Sequence, residues 1–155
     1  MTRSAIEKLP ISQLRALRAR GEGFDAAAWK EMAELGFAGV LIPEEFGGSG
    51  FGYVGLGQVL EAQGRTLAAS PLLSTAMTGA SALMLTGNQK QKETWLPQIA
   101  SGELLTALAV DEGAQGQGLR IRLFAYALDG TVLLKSARTQ EELQAAVSSP
   151  GESPR

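Results

Sequence analysis

The sequence predicts a mainly α-helical protein, with an N-terminal multi-helix domain followed by a short antiparallel β segment and a C-terminal helix. Three observations predict it. Up to about residue 103, apolar side chains recur at the spacing of helices that bury one face. From residue 104 the pattern changes to short apolar and β-branched runs, and two of them flank Asp129-Gly130, a strong hairpin signal. Residues 139–142, Thr-Gln-Glu-Glu, have the form of a capping box and open a final helix to about Val147.

The composition excludes several kinds of site. The chain has 155 residues, 45% of them hydrophobic, which suits one domain or one domain with a small appendage. It contains neither Cys nor His, so we expect no disulfide, no thiolate nucleophile, no Cys-based zinc site and no Ser-His-Asp triad. A general acid or base would have to be Asp, Glu, Lys or Tyr. The net charge of −2 gives no electrostatic reason to bind nucleic acid.

The N-terminal twenty residues are locally basic, and residues 66–89 carry no charge. An Arg-rich start can indicate organelle targeting, but a solvated helix face is the simpler interpretation. The uncharged stretch is long enough to span a bilayer, yet Pro71, Gly79 and Gly87 interrupt it, which favours a buried helix. We therefore expect a cytoplasmic protein with no membrane and no nucleic-acid partner.

The first helices are short. Residues 11–20 place apolar side chains at helical spacing between arginines. Asp25 is the expected N-cap of a second helix, which runs through Leu35 and stops at Gly36. The apolar connector at residues 37–42 then leads into a Gly-rich loop.

The later helices differ in polarity. Residues 53–65 fit an amphipathic helix, whereas residues 72–86 are apolar nearly all round, which predicts burial among other helices. A short charged helix is expected at residues 89–95. Pro97 suits the first turn of a further short helix that ends near Gly102.

The β segment comprises three expected strands. They are Leu104–Val110, Leu119–Leu128 and Thr131–Leu134, each apolar or β-branched without helical charge spacing. After the final helix, residues 148–155 are expected to be a frayed tail.

The Gly-rich loop contains four glycines, at positions 47, 48, 50 and 52, just before a helix. Such a loop can hold a phosphate through its backbone N–H groups. However, no Gly-Lys-Ser/Thr follows, and Glu44 and Glu45 would repel a phosphate. A tight connector packed against its neighbours is the favoured interpretation.

No set of residues completes a catalytic or metal site. Adjacent Glu44 and Glu45 point apart in extended chain, so surface exposure or capping fits them better than a carboxylate dyad. Asp111 and Glu112 follow an apolar strand, where active-site carboxylates often lie, but a strand-end turn explains them equally. Trp29, like Trp95 later in the chain, is expected in the core or at an interface rather than as a cofactor platform.

Four segments together resemble one known family. In order they read Trp-Lys-Glu-Met-Ala-Glu-Leu-Gly, Ile-Pro-Glu-Glu-Phe-Gly-Gly-Ser-Gly, Gly-Asn-Gln-Lys-Gln-Lys-Glu-Thr-Trp-Leu-Pro and Ala-Ser-Gly-Glu, and they occupy residues 29–36, 42–50, 87–97 and 100–103. In that order and spacing they are similar to the N-terminal domain of the acyl-CoA dehydrogenase family, over roughly residues 25–112.

The resemblance implies a fold and a chemistry. Family members have an N-terminal helical domain, a middle β-barrel and a C-terminal helical bundle. They bind FAD and remove hydrogens from the α and β carbons of an acyl-CoA thioester, a glutamate taking the α proton and the flavin the hydride. They form dimers or tetramers and pass electrons to an electron-transfer flavoprotein. For this chain the resemblance therefore implies FAD, an acyl-CoA substrate, a homo- or hetero-oligomer and that electron acceptor.

The resemblance also assigns flavin-side positions. The family's strand into the β-barrel ends in a Thr-Glu-Pro-like motif, and here the matching stretch reads Leu108-Ala-Val-Asp-Glu112, with Gly113 in place of Pro. A Gly-Ser-Asp turn usually follows, whereas this chain has Gln-Gly-Gln-Gly at residues 115–118. Residues 72–78 would lie near the acyl-chain end of the substrate. The expected cofactor-binding residues are Leu108, Val110 and Asp111.

The resemblance covers only part of a full family member. We expect residues 1–103 to be the family's helical domain, 104–138 a partial β-barrel segment, and 139–155 a helix and tail. In most members the catalytic glutamate lies in the C-terminal bundle, so no residue here is assigned a catalytic role. The chain is thus expected to be a truncated member that is inactive alone. The alternatives are a non-catalytic helical module that assembles with a dehydrogenase subunit, or the product of an interrupted gene.

Overall fold

A computed structural model of the protein describes residues 11–111 and 120–134. Its helices are α1 (Ile11–Ala19), α2 (Ala26–Glu34), α3 (Gly52–Thr66), a π-helical segment (Leu73–Gly79), α4 (Ala80–Thr86) and α5 (Gln89–Ala100), with a 3₁₀ turn at Glu44–Phe46. The strands β1 (Leu104–Asp111), β2 (Arg120–Ala127) and β3 (Val132–Leu134) form one antiparallel sheet in the order β1-β2-β3. The mainly α fold with a short antiparallel β segment is confirmed. The expected helix from Thr139 and the tail after it lie outside the described residues.

Local side chains fix the beginnings of two helices. The Asp25 carboxylate accepts the amides of Ala27 and Ala28 at 2.9 and 3.0 Å, which satisfies two donors that the first turn of α2 leaves free. Asn88 and Gln91 form a reciprocal capping box at the start of α5, with bonds of 2.8 and 2.9 Å. The predicted N-cap of α2 is therefore confirmed, and the capping box explains why α5 begins at Gln89.

The core of the described residues consists of two apolar clusters. The first joins α2, the connector and α3 to the start of the π segment. The second joins α4 and α5 to the sheet. Trp29 is 1% exposed in the first cluster and Trp95 is 9% exposed in the second, so both tryptophans lie in the core, as predicted. Burying one such large side chain stabilises the fold by about 1.5–3 kcal/mol.

The prediction of two short helices around Pro97 is wrong, because α5 continues from Gln89 to Ala100 with the proline inside it. Pro97 has no amide to donate to the preceding turn. The cost is offset because Leu96 and Ile99, on either side of it, are fully buried against α4 and the sheet. Pro97 itself is exposed.

The prediction that residues 72–86 are buried all round is also wrong. The segment begins as a π-helix and becomes α-helical at Ala80. One side of it is buried, including Leu72 and Ala76, but Leu73 is 57% and Leu85 is 81% exposed. The apolar composition of the segment could not reveal this exposure, because composition does not show which other elements of the protein pack against each side of a helix.

The sheet is a regular antiparallel ladder between β1 and β2. The register runs without a break from the Leu104–Ala127 pair to the Asp111–Arg120 pair. The predicted hairpin at Asp129-Gly130 is confirmed: Gly130 has a φ of +86°, and the Ala127 amide donates to the Thr131 carbonyl at 2.9 Å.

Candidate functional site

The Gly-rich loop uses its backbone amides internally. The amides of residues 47–51 each donate to a carbonyl oxygen of residues 39–44, at 2.9–3.2 Å. These are the donors that a phosphate-binding loop would have to point at its ligand. With all five already bonded, the loop does not offer a phosphate cradle, and the predicted tight connector is confirmed.

Gly48 lies where this loop leaves no room for a side chain. A Cβ at this position would overlap the carbonyl oxygen of Ile42 and would lie 2.6 Å from the carbonyl oxygen of Gly39. The loop thus closes directly onto the backbone of the connector. This explains the glycine by packing rather than by ligand binding.

The π segment is joined to β1 by two buried threonines. The Thr106 amide donates to the Thr75 hydroxyl at 3.0 Å, and that hydroxyl donates to the Thr106 carbonyl at 3.5 Å. The Thr106 hydroxyl donates to the Ser74 carbonyl at 3.2 Å. Thr75 is 0% and Thr106 is 3% exposed, so these groups have no access to bulk water. The backbone and side chain of one strand residue are therefore both held by the π segment.

The orientation of Thr106 fixes the orientation of the rest of β1. Its amide and carbonyl point to the π segment, so Thr106 and Ala125 form a non-hydrogen-bonded pair of the ladder. Such pairs alternate with hydrogen-bonded ones along an antiparallel strand. Leu108 and Val110, two and four residues further on, therefore also direct their N–H and C=O groups away from β2. β1 is the edge strand of the described sheet, so these groups lie along its outer edge.

The three sequence-predicted site residues all lie in the second half of β1. Leu108 and Val110 share the outer edge. Asp111 alternates with them, so its backbone groups point to β2, opposite Arg120. Leu108 is half-buried and shares a sheet face with Leu123, which packs on the second apolar cluster.

The outer edge of β1 has the chemistry that a flavin ring requires. The edge of an isoalloxazine ring carries both acceptors and a donor, and an open strand edge presents alternating backbone donors and acceptors. The outward groups of Leu108 and Val110 fit such a ligand. The backbone of Asp111 does not, because it belongs to the ladder with β2.

Outside β1, the carboxylates of the described residues form no metal cluster. Glu44 and Glu45 are both exposed in the 3₁₀ turn, as expected for surface residues. Within residues 11–111 and 120–134, no cluster of three or more Asp, Glu, His or Cys could hold a metal ion. Glu112, the neighbour of Asp111 in the sequence motif, lies outside the described residues.

Among the described residues, shifted pKa values occur at exposed turns. A hydrogen bond from Arg20 lowers the pKa of Glu22 after α1, and the same bond raises the pKa of Arg20. Hydrogen bonds from Thr131, first from its side chain and then from its backbone, lower the pKa of Asp129. Both contacts join residues two positions apart in exposed turns.

Several large apolar side chains are exposed on or around three helical elements. The Tyr53 and Ser81 hydroxyls are 2.9 Å apart, which places the start of α3 beside α4. Exposed apolar residues lie just before α3 and on its first turn, on the π segment, and on α4. We call them the exposed apolar set: Phe51 (72%), Val54 (82%), Leu73 (57%), Met77 (37%) and Leu85 (81%). In the part of the chain that is described, every helix is too short or too polar to cross a bilayer.

Sequence reasoning missed the threonine contact between the π segment and β1. Thr75 lay within a uniformly apolar helix, and Thr106 within an apolar strand. The available signal was that each is a polar residue inside an otherwise apolar run, because a buried hydroxyl needs a partner. Gly79 gave a second signal, since a glycine inside a helix often has a packing reason.

Comparison with known proteins agrees with the sequence resemblance. A family model described as "Acyl-CoA dehydrogenase, N-terminal domain" matches residues 1–103. Acyl-CoA dehydrogenase FadE12 of Mycobacterium tuberculosis (strain ATCC 25618 / H37Rv) is 38% identical over 101 residues, which are 64% of this chain and 26% of that protein. Mitochondrial isovaleryl-CoA dehydrogenase of Pongo abelii is 38% identical over 90 residues, 57% of this chain and 21% of that protein.

A solved structure shares the fold. The Tcur3481-Tcur3483 steroid ACAD variant matches 83% of this chain and 46% of its own, with a TM-score of 0.64 and 23% sequence identity. At that identity the match shows the architecture alone. The matched sequence relatives are much longer than this chain, which spans about a quarter of their length (26% and 21%).

Proposed function

The chain belongs to the acyl-CoA dehydrogenase family, and from that premise we propose that it supplies the helical domain and one wall of the flavin site for FAD-dependent α,β-dehydrogenation of an acyl-CoA thioester. Residues 1–103 form the helical domain in this proposal, 104–138 a partial β-barrel segment, and 139–155 a helix and tail. The observation that carries the proposal is the outer edge of β1, which directs the backbone groups of Leu108 and Val110 away from the sheet.

The residues of this chain bind and orient in this proposal, and they do not perform the chemistry. FAD, when bound, supplies the hydride acceptor. Leu108 and Val110 would hold its ring through their outward backbone groups. Asp111 would be the last residue of the strand beside them, with its backbone paired to β2. The exposed side chains of Leu73 and Met77 provide apolar contact for the acyl chain, since they are 57% and 37% exposed on the π segment.

We further propose that the 155 residues by themselves do not turn over substrate. Dehydrogenation needs a base for the α proton, and no residue of the chain is assigned that role. The complete reaction would need a complementary chain or segment, an oligomer, and an electron-transfer flavoprotein as acceptor. We place this assembly in the cytoplasm.

Flavin binding is tested with two proline variants of neighbouring residues. Val110→Pro removes an N–H on the outer edge, a position where strands tolerate proline, and the β1–β2 ladder keeps all its bonds. Ala109→Pro removes an N–H that donates to β2. The purified chain is titrated with FAD and followed by the quenching of flavin fluorescence, while urea unfolding reports stability.

The proposal expects the parent chain to bind FAD and Val110→Pro to bind about tenfold more weakly, because one hydrogen bond to the ligand is lost. Val110→Pro should unfold at nearly the parent urea concentration, and Ala109→Pro at a lower one. Turnover of an acyl-CoA with an artificial acceptor should be undetectable. A parent chain that does not bind FAD would overturn the flavin role, and turnover would overturn the inactivity.

A second candidate function is a non-catalytic module that assembles with a dehydrogenase subunit. The exposed apolar set favours it, because a partner subunit would remove these large apolar side chains from water. Co-expression with a full-length dehydrogenase subunit should give a complex on size-exclusion chromatography, and Leu85→Lys should weaken it. A chain that stays monomeric at all concentrations and does not bind a hydrophobic dye would count against this function.

A further inference from the structure

We propose that Thr75 and Thr106 form a clamp that positions the outer edge of β1 for the flavin, an inference that rests on the proposed function. The clamp consists of the hydrogen bonds between β1 and the π segment described above. Its members touch neither substrate nor cofactor, so they are positioning residues.

The clamp holds one strand residue through three of its groups. The Thr106 amide and carbonyl both meet the Thr75 hydroxyl, and the Thr106 hydroxyl meets the Ser74 carbonyl, at 3.0, 3.5 and 3.2 Å. Because Thr75 is fully buried, loss of its hydroxyl would leave the Thr106 amide without an acceptor or water. The contact therefore specifies which residue of β1 faces the π segment.

Gly79 makes room for the clamp. A Cβ at this position would overlap the hydroxyl of Thr106 and lie 2.7 Å from its Cβ. The glycine stands where the π segment passes into α4. It lets the strand approach the helix closely enough for the Thr75 hydroxyl to reach the backbone of β1.

Fixing Thr106 fixes the flavin edge through the alternation of the strand. Leu108 and Val110 lie about 7 and 14 Å beyond Thr106, at about 3.4 Å per residue. If β1 slipped by one residue at the clamp, the residues that alternate with Thr106, Leu108 and Val110 would direct their backbone groups to the π segment. The backbone groups of Leu108 and Val110 would then point toward β2. The clamp thus determines both where these groups lie and which way they point.

The π geometry of the segment accords with this role. Seven consecutive residues, Leu73–Gly79, follow the wider helix, although π turns are rare and occur frequently at functional sites. Both partners of Thr106, Ser74 and Thr75, belong to that stretch. The wider turn and the clamp therefore coincide in one element, which also carries the exposed Leu73 and Met77.

The test compares three variants of the full chain. Thr75→Val keeps the shape of the side chain and removes the hydroxyl. Thr75→Ser restores the hydroxyl without the methyl group. Thr86→Val is the matched control, because the Thr86 hydroxyl donates only to the Ala82 carbonyl of its own helix, at 2.7 Å. Thr106→Val, which removes only the bond to Ser74, serves if Thr75→Val fails to fold.

Three measurements are made on each variant. Amide hydrogen exchange and amide chemical shifts report on Thr106, Leu108 and Val110, and fluorescence titration reports the Kd for FAD. Thr75→Val should speed exchange at Thr106 and raise the Kd for FAD, each about tenfold, because a buried amide loses its acceptor. It should also shift the amide signals of Leu108 and Val110. Thr75→Ser should return all of these to within about twofold of the parent, and Thr86→Val should change none.

The outcomes separate the clamp from the proposed function. Exchange that speeds equally in α2 and in β1 would show a loss of global stability alone and would overturn the clamp. Local changes in β1 with an unchanged Kd for FAD would overturn the positioning role. Absence of FAD binding in every variant, including the parent, would overturn the proposed function, while the exchange and shift data would still decide whether the clamp orients β1.

Discussion

Replacing Gly48 with alanine should destabilise the protein strongly, because the added Cβ has no space. It would overlap the carbonyl oxygen of Ile42 and approach that of Gly39 to 2.6 Å. The φ of Gly48 is not in the left-handed region, so the effect is one of contact and not of backbone conformation. The loop and the connector would have to separate.

The magnitude follows from the bonds that this separation breaks. The Ile42 carbonyl accepts the Gly50 amide at 3.0 Å, and the Gly39 carbonyl accepts the Ser49 amide at 2.9 Å. Two lost hydrogen bonds cost about 1 kcal/mol each, and forcing a methyl group into packed space costs about 1–3 kcal/mol more. We expect a loss of about 3–5 kcal/mol, a large fraction of the stability of an ordinary domain.

The assay is equilibrium unfolding in urea, followed by the fluorescence of the two buried tryptophans, Trp29 and Trp95. At about 1–3 kcal/mol per M urea, the midpoint of Gly48→Ala should fall by at least about 1 M. Gly57→Ala is the matched control. Gly57 is exposed in the middle of α3, and a Cβ added there would meet no atom within 4 Å, so the same change should stabilise by about 0.5–1 kcal/mol.

The reasoning requires the two substitutions to act in opposite directions. If Gly48→Ala unfolds within about 0.5 kcal/mol of the parent, the close approach of loop and connector is refuted. If both variants lose stability equally, the loss comes from replacing a glycine as such, and the lack of space around Gly48 does not explain it.

Three further predictions follow from individual contacts. Trp29→Phe should lose about 1–2 kcal/mol in urea unfolding, because its indole N–H donates to the Gly102 carbonyl at 2.9 Å in the core; a parent-like midpoint would contradict that bond. Pro97→Ala should stabilise by about 1 kcal/mol or more, because the proline has no N–H to donate to the preceding turn of α5; a lower Tm would show that the proline has a role in packing. The pKa of Asp129 is lowered by hydrogen bonds from Thr131, so the hairpin turn should be fully stabilised above the ordinary pKa of an aspartate and lose that support as pH falls through the lowered value; an NMR titration of the Thr131 amide that follows an ordinary aspartate pKa would refute this.

Much of the local structure could be predicted from the sequence because local chemistry decides it. Asp25 caps α2, and Asp129-Gly130 forms the hairpin, since both depend on neighbouring atoms alone. The connector nature of the Gly-rich loop was also predictable, because its flanking carboxylates exclude a phosphate. The family resemblance similarly depended on residues in fixed order, and the match to residues 1–103 confirmed it.

Predictions failed where distant packing outweighs local preference. Pro97 was expected to begin a helix, but the burial of Leu96 and Ile99 carries α5 through it. Residues 72–86 were expected to be buried all round, yet their exposure depends on which other elements cover them. The sequence also did not determine which way the backbone groups of the flavin-side residues point, because a strand's sequence does not show which of its edges is paired.

The sequence by itself therefore determined the family, the N-cap of α2, the hairpin and the placing of the proposed flavin-side residues in the second half of β1. Only the tertiary structure decided that Thr106 meets Thr75 and that Leu108 and Val110 face outward together. The physical reason is range: caps and turns form between atoms a few residues apart, whereas the clamp joins residues 31 positions apart, which only the folded chain brings into contact.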